Sequence, residues 1–212
     1  MDLRTYILID SMQPQYAALT GMLLRGDVPV EGMAEVFVEL APASEVYEFL
    51  DVALKTSDVR PGTLSVEREF GSLEIHAPFQ EAVRVAGSAA LAHFNLSEHD
   101  RAKPEIASIK MITNVDAYEA QLVNQSSRGG LLLRGQTLCV LEVAPASYVM
   151  LAANEAEKAA HITLVHYQST GRFGRLYISG TESDVKVGRD GAVQAIRSLS
   201  GQGKKPPLEV PR

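Results

Sequence analysis

Short apolar runs alternate along this chain with stretches whose apolar residues recur at helical spacing, and the same order of segments occurs twice. Residues 5–9 and 108–112 read as strands from their β-branched and aliphatic content. Each leads into a short helix, over 15–24 and 118–123, that stops at Arg-Gly, where the glycine is expected to form a left-handed C-cap. Residues 35–40 and 137–143 are nearly continuous in apolar character, as befits strands covered on both faces. Ser44 and Ser147 follow as expected helix N-caps. In the helix after Ser44, residues Val46, Phe49, Leu50, Ala53 and Leu54 fall on one stripe. Two strands come next, over 63–66 and 72–76, joined through Glu67-Arg68-Glu69-Phe70-Gly71. Their counterparts lie over 163–168 and 175–179, joined through Ser169, Thr170, Gly171, Arg172, Phe173 and Gly174. Helices over 80–93 and 183–198 close the two halves. The order per half is strand, helix, strand, helix, strand, strand, helix, which predicts an α/β unit with helices covering a small mixed sheet.

The two halves are copies. Ala41-Pro42-Ala43-Ser44 returns as Ala144-Pro145-Ala146-Ser147, Lys55 as Lys158, Phe70-Gly71 as Phe173-Gly174 and Arg25-Gly26 as Arg128-Gly129, always 103 residues on. Residues 31–77 set against 134–180 give 13 identities in 47 ungapped positions, where unrelated segments of average composition would give roughly three. A repeat this long exceeds the ~20–50 residues of a solenoid unit and equals a whole domain. The polar stretch 95–104, which ends in proline, marks the junction. The expected division is therefore a first domain over 1–103, a second over 104–201 and a disordered tail over 202–212, whose Pro206-Pro207 could serve at most as a docking segment.

Composition removes several function classes. A net charge of -6, from 20 basic against 26 acidic residues, gives no basic footprint for nucleic acid. No apolar run approaches the roughly 18 residues of a membrane span, and the first residues do not form a secretion signal, so a cytoplasmic protein is expected. Cys139, the only cysteine, aligns with Val36 and reads as a small core residue. His76, His93, His99, His161 and His166 form no metal-ligand spacing. No nucleophile elbow, P-loop or dinucleotide fingerprint is present. No metal, cofactor or catalytic residue is expected, and an enzyme is disfavoured.

The segment APASEVYEFLDVALKTSDVRPGTLSVEREFG and its second copy APASYVMLAANEAEKAAHITLVHYQSTGRFG resemble the bacterial microcompartment shell proteins. The resemblance extends to about residue 200. It points to the tandem, circularly permuted, trimeric class, and residues 154–160 and the Glu67-Arg68 pair resemble its double-disc branch. It implies an α+β, ferredoxin-like domain in each half and a homotrimer of pseudo-hexameric shape. It further implies stacking as a dimer of trimers, beside other hexameric and pentameric shell proteins. Lys55 and Lys158 match the family's edge lysine, although Asp10 and Thr113 stand where the partner position often carries arginine. Glu67 and Arg68 match the gating pair nearest the symmetry axis. In the second copy Ser169, Thr170, Gly171 and Arg172 line the pore instead, without a Glu-Arg pair. Three Arg68 side chains at one opening would favour small anionic metabolites. The rival class is a trimeric small-molecule-binding or signalling module, which would stay a discrete trimer and bind ligand saturably, whereas a shell tile forms stacks and sheets.

Overall fold

The computed structural model describes residues 1–203. The first half runs β1 (Asp2–Ile9), α1 (Pro14–Leu23), β2 (Ala34–Ala41), α2 (Glu45–Thr56), β3 (Arg60–Glu67), β4 (Phe70–Ala77) and α3 (Gln80–His93). The second runs β5 (Glu105–Ile112), α4 (Ala117–Ser126), β6 (Thr137–Ala144), α5 (Val149–Ala159), β7 (Thr163–Gln168), β8 (Gly174–Gly180) and α6 (Glu182–Ser198). Two four-stranded sheets result, ordered β1-β2-β4-β3 and β5-β6-β8-β7. The fold is α+β and ferredoxin-like, with α2 and α3 packed together over the first sheet and α5 and α6 over the second.

Every pairing among these eight strands is antiparallel, which corrects the expected mixed sheet. A parallel neighbour requires a crossover helix laid on the sheet. Here β4 lies between β2 and β3, the strands that α2 connects, and β8 lies between β6 and β7, so no crossover-linked strands are neighbours. Helix α1 packs between its own sheet and the second half. Ile7, Ile9, Met12, Tyr16, Ala17, Leu19 and Phe37 of the first half join a hydrophobic core otherwise built from the second. The side of the first sheet facing away from α2 and α3 thus becomes an internal boundary. All eight residues of β2 are buried as a result, in agreement with its apolar run.

The repeated motifs explain one another. A Cβ on Gly71 would sit 2.2 Å from the Ala43 carbonyl oxygen, and one on Gly174 would sit 1.9 Å from that of Ala146. The Ala-Pro-Ala-Ser turn and the Phe-Gly pair are two sides of a single contact that admits no side chain. Both Ala-Pro bonds in these turns are cis.

Other local expectations are overturned. Ser44 has helical backbone angles and no capping hydrogen bond. Ser147 lies buried within the 3-10 turn Ala146–Tyr148 and is no N-cap, while Ser44 holds the N-cap position of α2 without a side-chain bond. Gly26 and Gly129 do not take left-handed C-caps. Their N–H groups donate to Gly62 O at 2.8 Å and Val165 O at 3.0 Å, and a Cβ on either would meet a strand carbonyl at 2.4 Å. Close approach, not backbone handedness, selects glycine there. Leu54 is 45% exposed and stands apart from the buried face made by Val46, Phe49 and Ala53. The polar junction is folded rather than loose. Arg101 is buried and donates to Tyr6 O at 3.1 Å and Ser200 O at 2.9 Å. The tail expected to be disordered begins with an ordered residue, since Lys103 N–H donates to Gln202 O and Gln202 N–H to Arg101 O, both at 2.8 Å. The remainder of that tail, 204–212, with its Pro-Pro, lies outside the described residues.

Candidate functional site

The β3–β4 hairpin turns on two residues, Arg68 and Glu69, with Glu67 paired to Phe70. Such a turn needs positive φ at its first central residue, a place glycine normally takes. Arg68 holds it with φ 55°, whereas Gly171 holds the equivalent place with φ 99°. An L-residue in that region costs about 1–2 kcal/mol. The first copy therefore carries an arginine at a backbone position that the second fills with the unstrained residue. Such strain concentrates where position matters more than stability.

Both hairpins border one cleft of about 360 Å³, lined by Arg4, Glu39, Glu67, Arg68, Thr170 and Arg172 among others. Glu67 and Arg68 are thus brought together with Thr170, Gly171 and Arg172, and Ser169 joins them through its carbonyl, which lies 3.3 Å from Ser147 Oγ. Lys55 and Lys158 lie elsewhere, in the last turns of α2 and α5. Lys55 pairs with Asp51 at 2.6 Å and Lys158 with Glu155 at 3.8 Å. The first contact is exposed and the second, at 3.8 Å, is long with Glu155 half-buried, so each is worth under about 1 kcal/mol.

Two members of the cleft were missed from sequence. The Arg4 guanidinium lies 3.8 Å from the centre of the Phe70 ring, and its Nε donates to Glu39 Oε1 at 2.5 Å. Ser147 Oγ donates to Glu39 Oε2 at 2.9 Å. The available signal was an acidic residue kept in both copies, Glu39 and Glu142, inside an otherwise apolar strand.

The boundary between the halves carries its own chemistry. Helix α1 has no side-chain cap of its own. Instead Asn154 Oδ1 accepts from Gln13 N–H at 2.9 Å, and the Glu157 carboxylate accepts from Gln15 and Tyr16 N–H, each at 2.8 Å. A carboxylate at a helix N-terminus satisfies orphan donors and opposes the positive end of the dipole. The segment 154–160, noted from sequence, thus holds α1 against the second half. Tyr16 and Tyr167 stack with ring centres 5.8 Å apart, and Tyr167 OH bonds Thr20 Oγ1 at 2.8 Å.

Beside them lies a buried acidic group. Tyr16 OH donates to Glu35 Oε2 at 2.8 Å, and Glu35 Oε1 has no partner. Burial, with Glu74 nearby, pushes the Glu35 pKa well up. Glu74 is raised chiefly by burial, although His76 and the Gly62 N–H oppose the shift. His76 lies between Glu74 Oε1 at 2.9 Å and Asp27 Oδ1 at 3.0 Å. Burial works to lower its pKa, but the two carboxylates outweigh it and the net shift is upward.

The chain therefore consists of two copies of one domain, each presenting a hairpin of different chemistry to a common cleft, which defines a tandem-domain protein. Known proteins agree. The family model described as the CsoS1D N-terminal domain matches residues 3–100. The carboxysome shell protein CcmP of Synechococcus elongatus is 46% identical over 202 residues, covering 95% of each chain. The solved structure of the fused permuted hexameric shell protein MSM0275 from the RMM microcompartment superposes with a TM-score of 0.92 at 42% identity, over 95% of this chain and 100% of that one. The double ringed trimeric shell protein MSM0271 from the same microcompartment gives a TM-score of 0.91 at 38% identity, over 96% and 99%. The chain belongs to the tandem-domain, circularly permuted family of bacterial microcompartment shell proteins. That role is structural, not enzymatic.

Proposed function

We propose that three chains close into a pseudo-hexameric ring that serves as a tile of a microcompartment shell in the cytoplasm. In this reading residues 1–103 and 104–201 are its two domains, and the hairpins surround a central opening. Glu67 and Arg68 form the gate, alternating with Ser169, Thr170, Gly171 and Arg172. Three Arg68 side chains on one axis either cross to a neighbouring Glu67, which closes the hole, or turn outward, which opens it to small anionic metabolites.

The internal docking of α1 carries the proposal. It is one of two equivalent contacts that a ring of doubled domains requires. Adding 103 to Gln15 and Leu19 gives Tyr118 and Leu122 on α4, which are 80% and 66% exposed. The receiving side in the first half, equivalent to Glu157 and Tyr167, is Leu54 and Leu64, exposed at 45% and 38%. A groove of about 350 Å³ lined by Leu122, Val123, His166 and Tyr177 lies beneath α4, where Tyr167 fills the corresponding place in the first half. Leu64 of a second copy has the position to enter it. Two unfilled apolar faces on one chain, matching a filled pair inside it, support a head-to-tail ring.

Lys55 and Lys158 serve as tile edges toward other hexameric and pentameric shell proteins. Two rings stack face to face, a reading supported by similarity to a double-ringed relative. Light scattering tests the ring: the parent should have the mass of three chains or a multiple of three, and Leu122→Asp should release single chains. A monomeric parent, or a variant of unchanged mass, would overturn the assembly. Electron microscopy of the parent should show stacked rings and sheets.

A further inference from the structure

The two hairpins of one chain are joined by a continuous set of contacts. Phe70, the last residue of the first hairpin, lies under the Arg4 guanidinium at 3.8 Å. Arg4 Nε donates to Glu39 Oε1 at 2.5 Å. The other oxygen of that carboxylate accepts from Ser147 Oγ at 2.9 Å, and Ser147 also approaches the Ser169 carbonyl, at 3.3 Å, where the second hairpin begins. Glu39 is buried and has a cation on one oxygen and a hydroxyl of the other half on the second. A carboxylate so placed has little contact with water, so its position is set chiefly by its two neighbours.

The second copy shows that the arrangement is particular to the first. Its equivalent acid, Glu142, is paired to Arg175 at 2.7 Å, an arginine directly opposite it on β8. Arg4 comes from the other flanking strand, β1. The aromatic of the second hairpin, Phe173, is faced at 5.2 Å by Arg172 of its own loop. Both copies keep a Glu-Arg pair, but in the first alone does the arginine also cover the hairpin's aromatic.

We propose that Glu39 is a positioning residue that couples the Glu67–Phe70 hairpin to the Ser169–Arg172 hairpin, so that the two move as one part of the rim. The proposal rests on the pore reading above and adds to it a determinant of the gate outside both hairpins. Loss of the carboxylate charge frees Arg4 from its anchor, loosens its hold on Phe70 and lets the first hairpin choose its arrangement independently of the second.

Spin labels test it on the full chain. Glu69→Cys places a nitroxide on the exposed turn, while Cys139 stays unlabelled because it is buried and its thiol pKa is pushed up to about 11. Pulsed dipolar spectroscopy of this protein should give one threefold-related distance distribution. Adding Glu39→Gln should change the ratio of its components by about tenfold to a hundredfold, the effect of one hydrogen-bonded contact to a charge. Arg4→Gln should do the same, and it carries the test alone should the buried Glu39 variant fail to fold. The double variant should change the distribution no further than either single one, since all act through one linkage. An unmoved distribution in an intact ring, or effects that simply add, overturns the coupling. Failure of the pore reading looks different: the parent itself would then show no threefold-related distance.

Discussion

Position 68 and its counterpart at 171 separate backbone cost from side-chain role. Both take positive φ, 55° and 99°. A nonglycine residue there costs about 1 kcal/mol or more, partly offset when glycine enlarges the freedom of the unfolded chain. Gly171→Ala should therefore lower stability by at least about 1 kcal/mol. Arg68→Gly should be neutral to stabilising by up to about 1 kcal/mol. Chemical denaturation of the two variants checks both signs. A destabilised Arg68→Gly would mean that the guanidinium makes compensating contacts, and the strain would then have no functional reading. Glu39 belongs to the same scale. Its acid lies in an apolar strand, and only the structure reveals that its partners come from β1 and from the other half.

At the scale of elements, α1 shows a helix end completed by another domain. Gln15 and Tyr16 donate to Glu157 at 2.8 Å each. Glu157→Ala should cost about 1–2 kcal/mol, the usual range for a lost cap with its dipole contribution. Amide exchange should quicken at those two residues before it does in α2 or α3. Glu157→Gln keeps an acceptor and should lose less. This contact also shows what sequence could supply. Strand and helix order, the repeat and the hairpins were legible because apolar periodicity is local and the second copy acts as a control on the first. The partner of α1 was not, because nothing local in Pro14–Leu23 specifies a carboxylate 142 residues away. Gly26 and Gly129 misled for a related reason: a glycine required by a neighbouring strand looks the same in sequence as one required by handedness. The Glu67-Arg68 pair drew notice through a resemblance, whereas Arg4 and Glu39 lie outside any local motif.

For the whole molecule, the boundary between the halves sets a dependence on pH. Glu35 and Glu74 hold their protons more tightly in the fold than in the open chain, above all because they are buried. His76 does so because Glu74 and Asp27 face its two ring nitrogens. The native chain therefore binds more protons than the unfolded one, and stability falls as pH rises. For the two glutamates the loss begins above the ordinary carboxylate range and continues through their raised values. The His76 contribution is fully present below the ordinary histidine value and disappears as pH climbs through its raised one. His166 runs the other way, since burial and then Arg128 lower its pKa and it offsets part of the decline near neutral pH, and so does Asp27. The hydrogen bond from His76, with Arg60 beside it, lowers its pKa, so its smaller, exposed contribution is lost only in acid. Tyr16 and Tyr167 stay neutral throughout, since burial raises both. Denaturation midpoints measured from mildly acidic to mildly alkaline pH should decline. Glu35→Gln keeps the acceptor for Tyr16 and removes one titrating group, so it should flatten the decline and raise stability at alkaline pH. A midpoint that rises with pH, or a Glu35→Gln variant with the parent's slope, would show that these acids are ionised in the fold. The boundary would then be held together by charge rather than by burial.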